Sequence, residues 1–447
     1  MITWAALIAR IAYALDHNDA AVELAIRNMI DGDAKPCFME QVIKGVIWSH
    51  RADMHELIGR LLVAARLQEG LRQVICENAD MGTQEAFRTL IDVIEKNDLI
   101  RFSSVKRAVG TWLGLISEES SNLERISNKS ITLISRCLRD KDFVEECLVS
   151  EDSMQLYIAL WSLGVEDVQI AANRAWELAN TGTHHQRLTA GIFARSLKAE
   201  KYAAELTKHV LLAYSDELDT VAVYLPMLMS RCVTDLSSDV LQRYGSDAWK
   251  AYFSDAQQAR QFYDLFIDIR GRLSKKMVFD PCVFPGNKEM LEKSALAERI
   301  CVTARLLNDD ELIDASIAYF PECNPWNRHF LLEPCYAGMR TPKQRQMMLS
   351  SVCDKADLTR TVAIDLLDKT LLTTDDYIEL EKLLRYKYAD ARQAIIRWLM
   401  KQPDDALYET ISRLINDRKS EERRMIAQLA NDEHIEFISA QIEAHRV

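Results

Sequence analysis

Three residues in the second half of the chain have the side chains of metal ligands. Cys323, His329 and Cys335 are spaced Cys-x5-His-x5-Cys, and Cys282 and Cys301 lie upstream. Zinc takes four nitrogen or sulfur ligands in a tetrahedron, and structural sites usually contain a close Cys-x2-4-Cys pair. These five residues contain no such pair. The spacing therefore favours separate packing cysteines, and we predict no metal and no cofactor.

Other catalytic patterns are weak in this sequence. Adjacent His184 and His185 would diverge by about 100° on a helix, so they cannot easily bind one ion. His55-Glu56 lacks the second histidine one turn later that a zinc-protease helix requires. The glycine-rich phosphate loops and the Gly-x-Ser-x-Gly nucleophile elbow are absent from the sequence. We predict no catalytic residue and favour a non-enzyme, while a site assembled from distant residues stays open.

Cations recur on successive predicted helices near the C-terminus. On the predicted helix Asp390–Lys401, an apolar stripe that includes Ile395 and Trp398 faces a neighbour, and polar side chains project on the opposite side. The candidate basic ridge comprises Arg397, Lys401, Arg413, Arg418, Lys419, Arg423 and Arg424. In a stacked array these could contact phosphates or an acidic protein. The alternative is ordinary charge balance, because aspartates and glutamates are interleaved.

The elements that must position these residues are short amphipathic helices. Phe87, Leu90, Ile91 and Ile94 fall at i, i+3, i+4 and i+7, which collects apolar side chains on one helical stripe. Glycine (14) and proline (9) are scarce in 447 residues, whereas all-β folds need them for turns. The sequence therefore predicts an all-α fold.

The predicted helices recur as pairs, with a step of roughly 30 residues from one hairpin to the next. The C-terminal set is Asp375–Arg385, Asp390–Lys401, Asp404–Asn416 and Ser420–Ala430. An earlier set is Val168–Ala179, His185–Leu197, Tyr202–Ala213 and Leu218–Ser230. This rhythm predicts a HEAT-like helical-repeat solenoid of stacked antiparallel helix pairs, as one array or two lobes.

Five of the nine prolines lie between Phe279 and Cys335 and interrupt the rhythm. We expect a loop over Lys275–Gly286 and an ordered but irregular path over Phe320–Cys335. The predicted organisation is an N-terminal helical-repeat region at 1–274, a proline-rich connecting segment at 275–341, and C-terminal HEAT-like helical pairs at 342–447.

Composition restricts location and partners. The net charge of −12 does not favour free nucleic acid, although a local basic face remains compatible with it. Ten cysteines without a paired framework indicate a reducing compartment, so we predict a cytoplasmic protein. No segment is long and apolar enough to span a bilayer, and Ile2–Leu15 is interpreted as a terminal packing helix.

Three stretches resemble the large bacterial MolR-like proteins, most of which have unknown function. They are Ala64–Cys76, Asp98–Gly114 and Leu384–Asp405, the last being similar to the HEAT-like region of that family. The resemblance is weakest around Pro281–Cys335. It implies a helical-repeat fold and supplies no catalytic residue. Some MolR-like proteins carry a WGR module, which is associated with nucleic-acid-linked proteins.

These observations favour a non-catalytic helical-repeat scaffold that presents an extended surface to a protein partner. The first alternative is a nucleic-acid-associated helical-repeat protein that uses the basic ridge. The second is an enzyme whose site lies near the proline-rich segment.

Overall fold

The computed structural model describes residues 3–31, 39–65, 68–115, 126–197, 199–280 and 288–416. The helical fraction is 77%, and the described ranges contain 25 α-helices and one two-stranded sheet. The predicted all-α fold class is confirmed. Of the described helices, none combines the length and the apolarity required to cross a lipid bilayer.

The chain divides into two compact units, Met1–Leu228 with Val278–Met290, and Met229–Met277 with Leu291–Val447. The first unit contains α1 to α14. Their bounds are Trp4–Asp16, Ala20–Asp31, Met39–Trp48, Ala52–Ala64, Glu69–Glu77, Gln84–Lys96, Ser103–Trp112, Asn128–Cys137, Lys141–Leu148, Ser153–Glu166, Val168–Thr181, His184–Ser196, Glu200–Tyr214 and Leu218–Tyr224.

The second unit contains α15 to α25. Their bounds are Cys232–Asp235, Leu241–Tyr244, Ala256–Arg272, Lys293–Leu307, Asp310–Ser316, Pro325–Tyr336, Pro342–Ser351, Asp357–Leu367, Thr374–Leu383, Ala389–Leu399 and Asp404–Asn416. Short 3-10 helices such as Phe320–Glu322 connect some of these elements. The predicted helix Ser420–Ala430 lies outside the described residues.

In the first unit, many helices pack against the next helix but one. Thus α4 packs on α6, α6 on α8, α8 on α10, α10 on α12, and α12 on α14. The predicted stripe of α6 is buried, with Phe87 and Ile94 at most 3% exposed. Burying an apolar side chain of this size contributes about 1.5–3 kcal/mol, so these stripes hold successive hairpins together.

The second unit repeats the same packing, with α18 on α20, α20 on α22, α21 on α23, α22 on α24, and α23 on α25. Asp309, Thr341 and Thr373 precede α19, α21 and α23, and each side chain accepts a hydrogen bond from a backbone N–H in the first helical turn. These caps lie 32 residues apart. The second unit therefore has a defined register from hairpin to hairpin.

Two expectations for the proline-rich segment are wrong. Residues 325–336, expected to be irregular, form α20. Pro325 occupies its first turn, where the missing N–H costs nothing, and the Asn324 side chain accepts from Trp326 N at 3.0 Å. Pro334 is tolerated near the end of the helix.

The expected loop over Lys275–Gly286 contains a strand. Residues Lys276–Phe279 (β1) pair with Glu289–Glu292 (β2). Each strand has four residues, which is too short for an alternating pattern to stand out in the sequence. Residues 281–287, which include Cys282 and two of the prolines, lie outside the described residues.

Candidate functional site

The described part of the basic ridge consists of Arg397, Lys401 and Arg413. Arg397 lies in α24 and its Nη2 donates to Asp368 Oδ2 at 2.6 Å, at the end of α22. Arg413 lies in α25 and donates to both carboxylate oxygens of Glu381 in α23, at 2.6 and 3.1 Å. Each arginine therefore pairs with an acid two helices earlier, at the end of α22 for Arg397 and in α23 for Arg413.

These contacts shift the pKa of Asp368 and the pKa of Arg413. Burial acts to raise the pKa of Asp368, but hydrogen bonds from Arg397 and Trp398 outweigh it, so the pKa lies below its ordinary value. The hydrogen bonds with Glu381 raise the pKa of Arg413. Both arginines are therefore already neutralised by carboxylates of the protein, which leaves little charge for an external phosphate.

Lys401 is exposed and forms no ion pair with any described residue. The remaining ridge residues, Arg418, Lys419, Arg423 and Arg424, lie outside the described residues, so the complete ridge stays a prediction.

Similar ion pairs join successive hairpins throughout the second unit. Arg360 Nε donates to Asp390 Oδ2 at 2.9 Å, which links the beginnings of α22 and α24. Because Arg397 and Asp368 link the ends of the same two helices, α22 and α24 run parallel. Arg345 of α21 donates both Nε and Nη2 to Asp376 of α23, an aspartate that is 2% exposed. Arginine suits this role because its planar group pairs with a carboxylate in two places.

An equivalent contact in the first unit includes a histidine. His184 lies at the start of α12. Its Nδ1 is 3.0 Å from Glu217 Oε2 and its Nε2 is 2.8 Å from Asp219 Oδ2, and both acids lie at the start of α14. Burial acts to lower the pKa of His184, and hydrogen bonds to Asp219 and Glu217 outweigh it, so the pKa lies above its ordinary value. His185 bonds instead to Ser153, with 2.6 Å between Nε2 and Oγ. The two histidines therefore have separate partners.

The cysteine and histidine pattern of the second unit belongs to the packing of its helices. Cys301, Cys323 and Cys335 are all buried, and burial helps to raise the pKa of the Cys335 thiol well above its ordinary value. The His329 ring instead lies against the Phe330 ring in a tilted arrangement, with ring centroids 3.9 Å apart. Among the residues that the structure describes, no group of three or more potential ligands could hold a metal ion.

The outer face of α20 exposes aromatic side chains. Trp326 is 73% exposed, and His329, Phe330 and Pro334 follow at i+3, i+4 and i+8 on the same side of the helix. The opposite side, which includes Leu331 and Cys335, is buried. We call the four exposed or half-buried residues the aromatic stripe.

A family model described as a family of unknown function (DUF5724) matches residues 2–445. The chain belongs to the DUF5724 family. Among curated proteins, none matches this DUF5724 chain with significance. The family match covers both units, and the family description names no activity.

Sequence reasoning missed the aromatic stripe because prolines at both ends of α20 suggested irregular backbone. The signal was present: Asn324-Pro325 is a helix start, and Trp326, His329 and Phe330 have helical spacing. Sequence reasoning also missed that Arg397 pairs with Asp368 and Arg413 with Glu381, because these acids lie 29 and 32 residues earlier in the chain.

Proposed function

We propose that this chain is a non-catalytic, HEAT-like helical-repeat solenoid that presents an extended surface to a protein partner. The observation that carries the proposal is the packing in each unit, where helices contact the next helix but one. Helices arranged in this way bury one stripe and leave the other face available, which gives a large binding area without a deep pocket.

The inter-hairpin ion pairs support this proposal over an enzyme or a nucleic-acid binder. Asp368, Asp376 and Glu381 each accept hydrogen bonds from an arginine on another helix. These carboxylates therefore help to fix the register between helices. A phosphate-binding surface needs cations with unsatisfied charge, and the two described arginines of the ridge are paired. These three carboxylates and the arginines paired with them therefore have structural roles.

We also propose a cytoplasmic location, which the eight described free cysteines support, since thiols persist in reducing compartments. The resemblance to the MolR-like proteins stays a prediction, and it agrees with a helical-repeat architecture.

The test of the scaffold function is affinity capture from cell lysate with the tagged full chain, followed by mass spectrometry, with and without nuclease. We expect a stoichiometric protein partner that survives nuclease treatment. The matched control is the Ile411→Asp variant, in which the packing of α25 is disrupted. Recovery that depends on intact nucleic acid, or turnover of a small molecule by the purified chain, would contradict the scaffold function.

A further inference from the structure

The aromatic stripe of α20 leaves apolar side-chain surface exposed instead of packed against neighbouring helices. Trp326 is 73% exposed at the second position of α20, while His329 and Phe330 are half-buried beside it. Exposed apolar residues that occur singly, such as Leu371, are ordinary on protein surfaces. A contiguous row of aromatic side chains on one helix face instead indicates a binding surface.

Carboxylates without cationic partners accompany this stripe. Glu333 lies in the middle of the stripe, one turn after Phe330. Asp365 has the equivalent position on α22, 32 residues later, and α22 packs directly on α20. Both acids are exposed, and within the described part of the chain neither forms an ion pair. The outer face of α20 and α22 is therefore both aromatic and negatively charged.

We infer that the outer face of α20 and α22 binds an arginine- and lysine-rich segment of a partner protein, an inference that rests on the proposed scaffold function. A guanidinium or ammonium group can stack on the exposed indole of Trp326, which is the strongest cation–π acceptor among side chains. Glu333 and Asp365 then supply the opposite charge on either side. A phosphate backbone is disfavoured here because it would meet carboxylates. A second copy of this face is disfavoured for the same reason.

The probe is a fluorescein-labelled arginine–glycine repeat peptide, titrated with the full chain and followed by fluorescence anisotropy at physiological salt. A glutamate–glycine repeat peptide of the same length is the charge control. We expect the arginine peptide to bind and the glutamate peptide not to bind. Trp326→Ala should weaken binding by about tenfold, as for an aromatic residue at the centre of an interface.

Two further variants separate charge from aromatic stacking. Glu333→Gln combined with Asp365→Asn should weaken binding severalfold and reduce its dependence on salt. Trp4→Ala, which truncates an exposed tryptophan of the first unit, should leave binding unchanged. Because Trp326 and both carboxylates are exposed, circular dichroism should show the same helix content in every variant.

The inference is overturned if the arginine peptide binds no more tightly than the glutamate peptide, or if Trp326→Ala binds as well as the native chain. It is also overturned if Trp326→Ala abolishes self-association or duplex DNA binding instead. If the native chain and Trp326→Ala capture the same amount of partner protein, the scaffold function is supported and only the inferred binding surface on α20 and α22 is refuted. Peptide binding that depends on Trp326, without any captured protein, would support the surface and count against the scaffold.

Discussion

The same position on three parallel helices of the second unit is used in two different ways. Glu333 on α20, Asp365 on α22 and Arg397 on α24 are each separated by 32 residues. Arg397 pairs with Asp368 at the end of α22. The residue equivalent to Asp368 one repeat earlier is Tyr336, which is buried and cannot neutralise Asp365. For Arg397 and Asp365, the residue 29 positions earlier, Asp368 or Tyr336, therefore decides whether the charge is paired.

The two regions differ in how their charges are used. Around α24 and α25, Arg397 and Arg413 pair with carboxylates of earlier helices and so contribute to stability. On the outer face of α20 and α22, Glu333 and Asp365 form no ion pair with a described residue, and we propose that they contact a partner. Substitutions in the first region should change the free energy of unfolding, while substitutions on the outer face of the second should change binding alone.

The largest expected effect is on the packing that positions Arg413. Ile411 is 8% exposed and packs with Leu407 and Met400. Ile411→Asp should lower the free energy of unfolding by about 3 kcal/mol or more, because it buries a carboxylate without a partner. Urea denaturation followed by circular dichroism measures the change. The control is Glu409→Gln, whose side chain is 73% exposed, with an effect within about 0.5 kcal/mol. Equal stability of Ile411→Asp and the native chain would show that α25 is not anchored by this stripe.

The next effect separates buried from exposed ion pairs. Arg345→Ala leaves Asp376 buried without its arginine and should destabilise the protein by about 2–3 kcal/mol. Arg397→Ala removes a pair in which both side chains are a third or more exposed, and should cost about 0.5 kcal/mol. Thermal and urea unfolding measure both. A similar cost for the two single variants would contradict the distinction.

A smaller effect depends on pH and distinguishes the histidine contact from the arginine contacts. The folded-state pKa of His184 is raised, so its pairing with Glu217 and Asp219 stabilises fully below the ordinary histidine pKa. That contribution is lost as the pH rises through the folded-state pKa. We expect at most about 0.5 kcal/mol, because His184 is about half exposed. Urea unfolding of the native chain and of His184→Gln should differ at mildly acidic pH and converge at alkaline pH. A difference that grows toward alkaline pH would reverse the sign and refute the assignment.

The smallest expected effect concerns nucleic acid. Charge reversal of the exposed ridge residues, Arg397→Glu with Lys401→Glu, should not change binding to duplex DNA at physiological salt. The native chain should bind DNA weakly or not at all under these conditions, since Arg397 is paired and the net charge is −12. Fluorescence anisotropy at low and physiological salt measures it. Submicromolar binding at physiological salt that the variant loses would restore the basic ridge as a nucleic-acid surface.

The sequence predicted the helices well because each one carries a buried apolar stripe with helical spacing. The predicted helix Val168–Ala179 corresponds to α11, and the predicted pair Asp390–Lys401 and Asp404–Asn416 corresponds to α24 and α25. The all-α class follows from such stripes. The two-stranded sheet of β1 and β2 was not predicted, because a strand of four residues is too short for an alternating hydrophobic pattern to be recognised.

The candidate site was less predictable because it depends on register between hairpins. Arg397 and Lys401 were expected on the exposed side of one helix. Arg397 is exposed on α24, whereas Lys401 is exposed in the turn after α24 ends at Leu399. Whether Arg397 is available to a ligand depends on its pairing with Asp368. That pairing cannot be predicted from the sequence until the 32-residue register between helices is known. The caps Asp309, Thr341 and Thr373 contain that register, yet three short polar residues are common enough to pass unnoticed.

The regular spacing of these caps also bears on how the chain can change length. Removing residues 341–372 would join Arg340 to Thr373, so one capping threonine would replace another in the same relation to the preceding helix. A deletion that removes α21 but keeps α22 would instead leave α22 without the helix that packs on it and expose its apolar stripe. We therefore expect this part of the chain to tolerate the loss of a whole 32-residue step better than the loss of part of one. A chain lacking 341–372 should remain cooperatively folded by urea denaturation, whereas a chain lacking only 341–356, which removes α21 and keeps α22, should not.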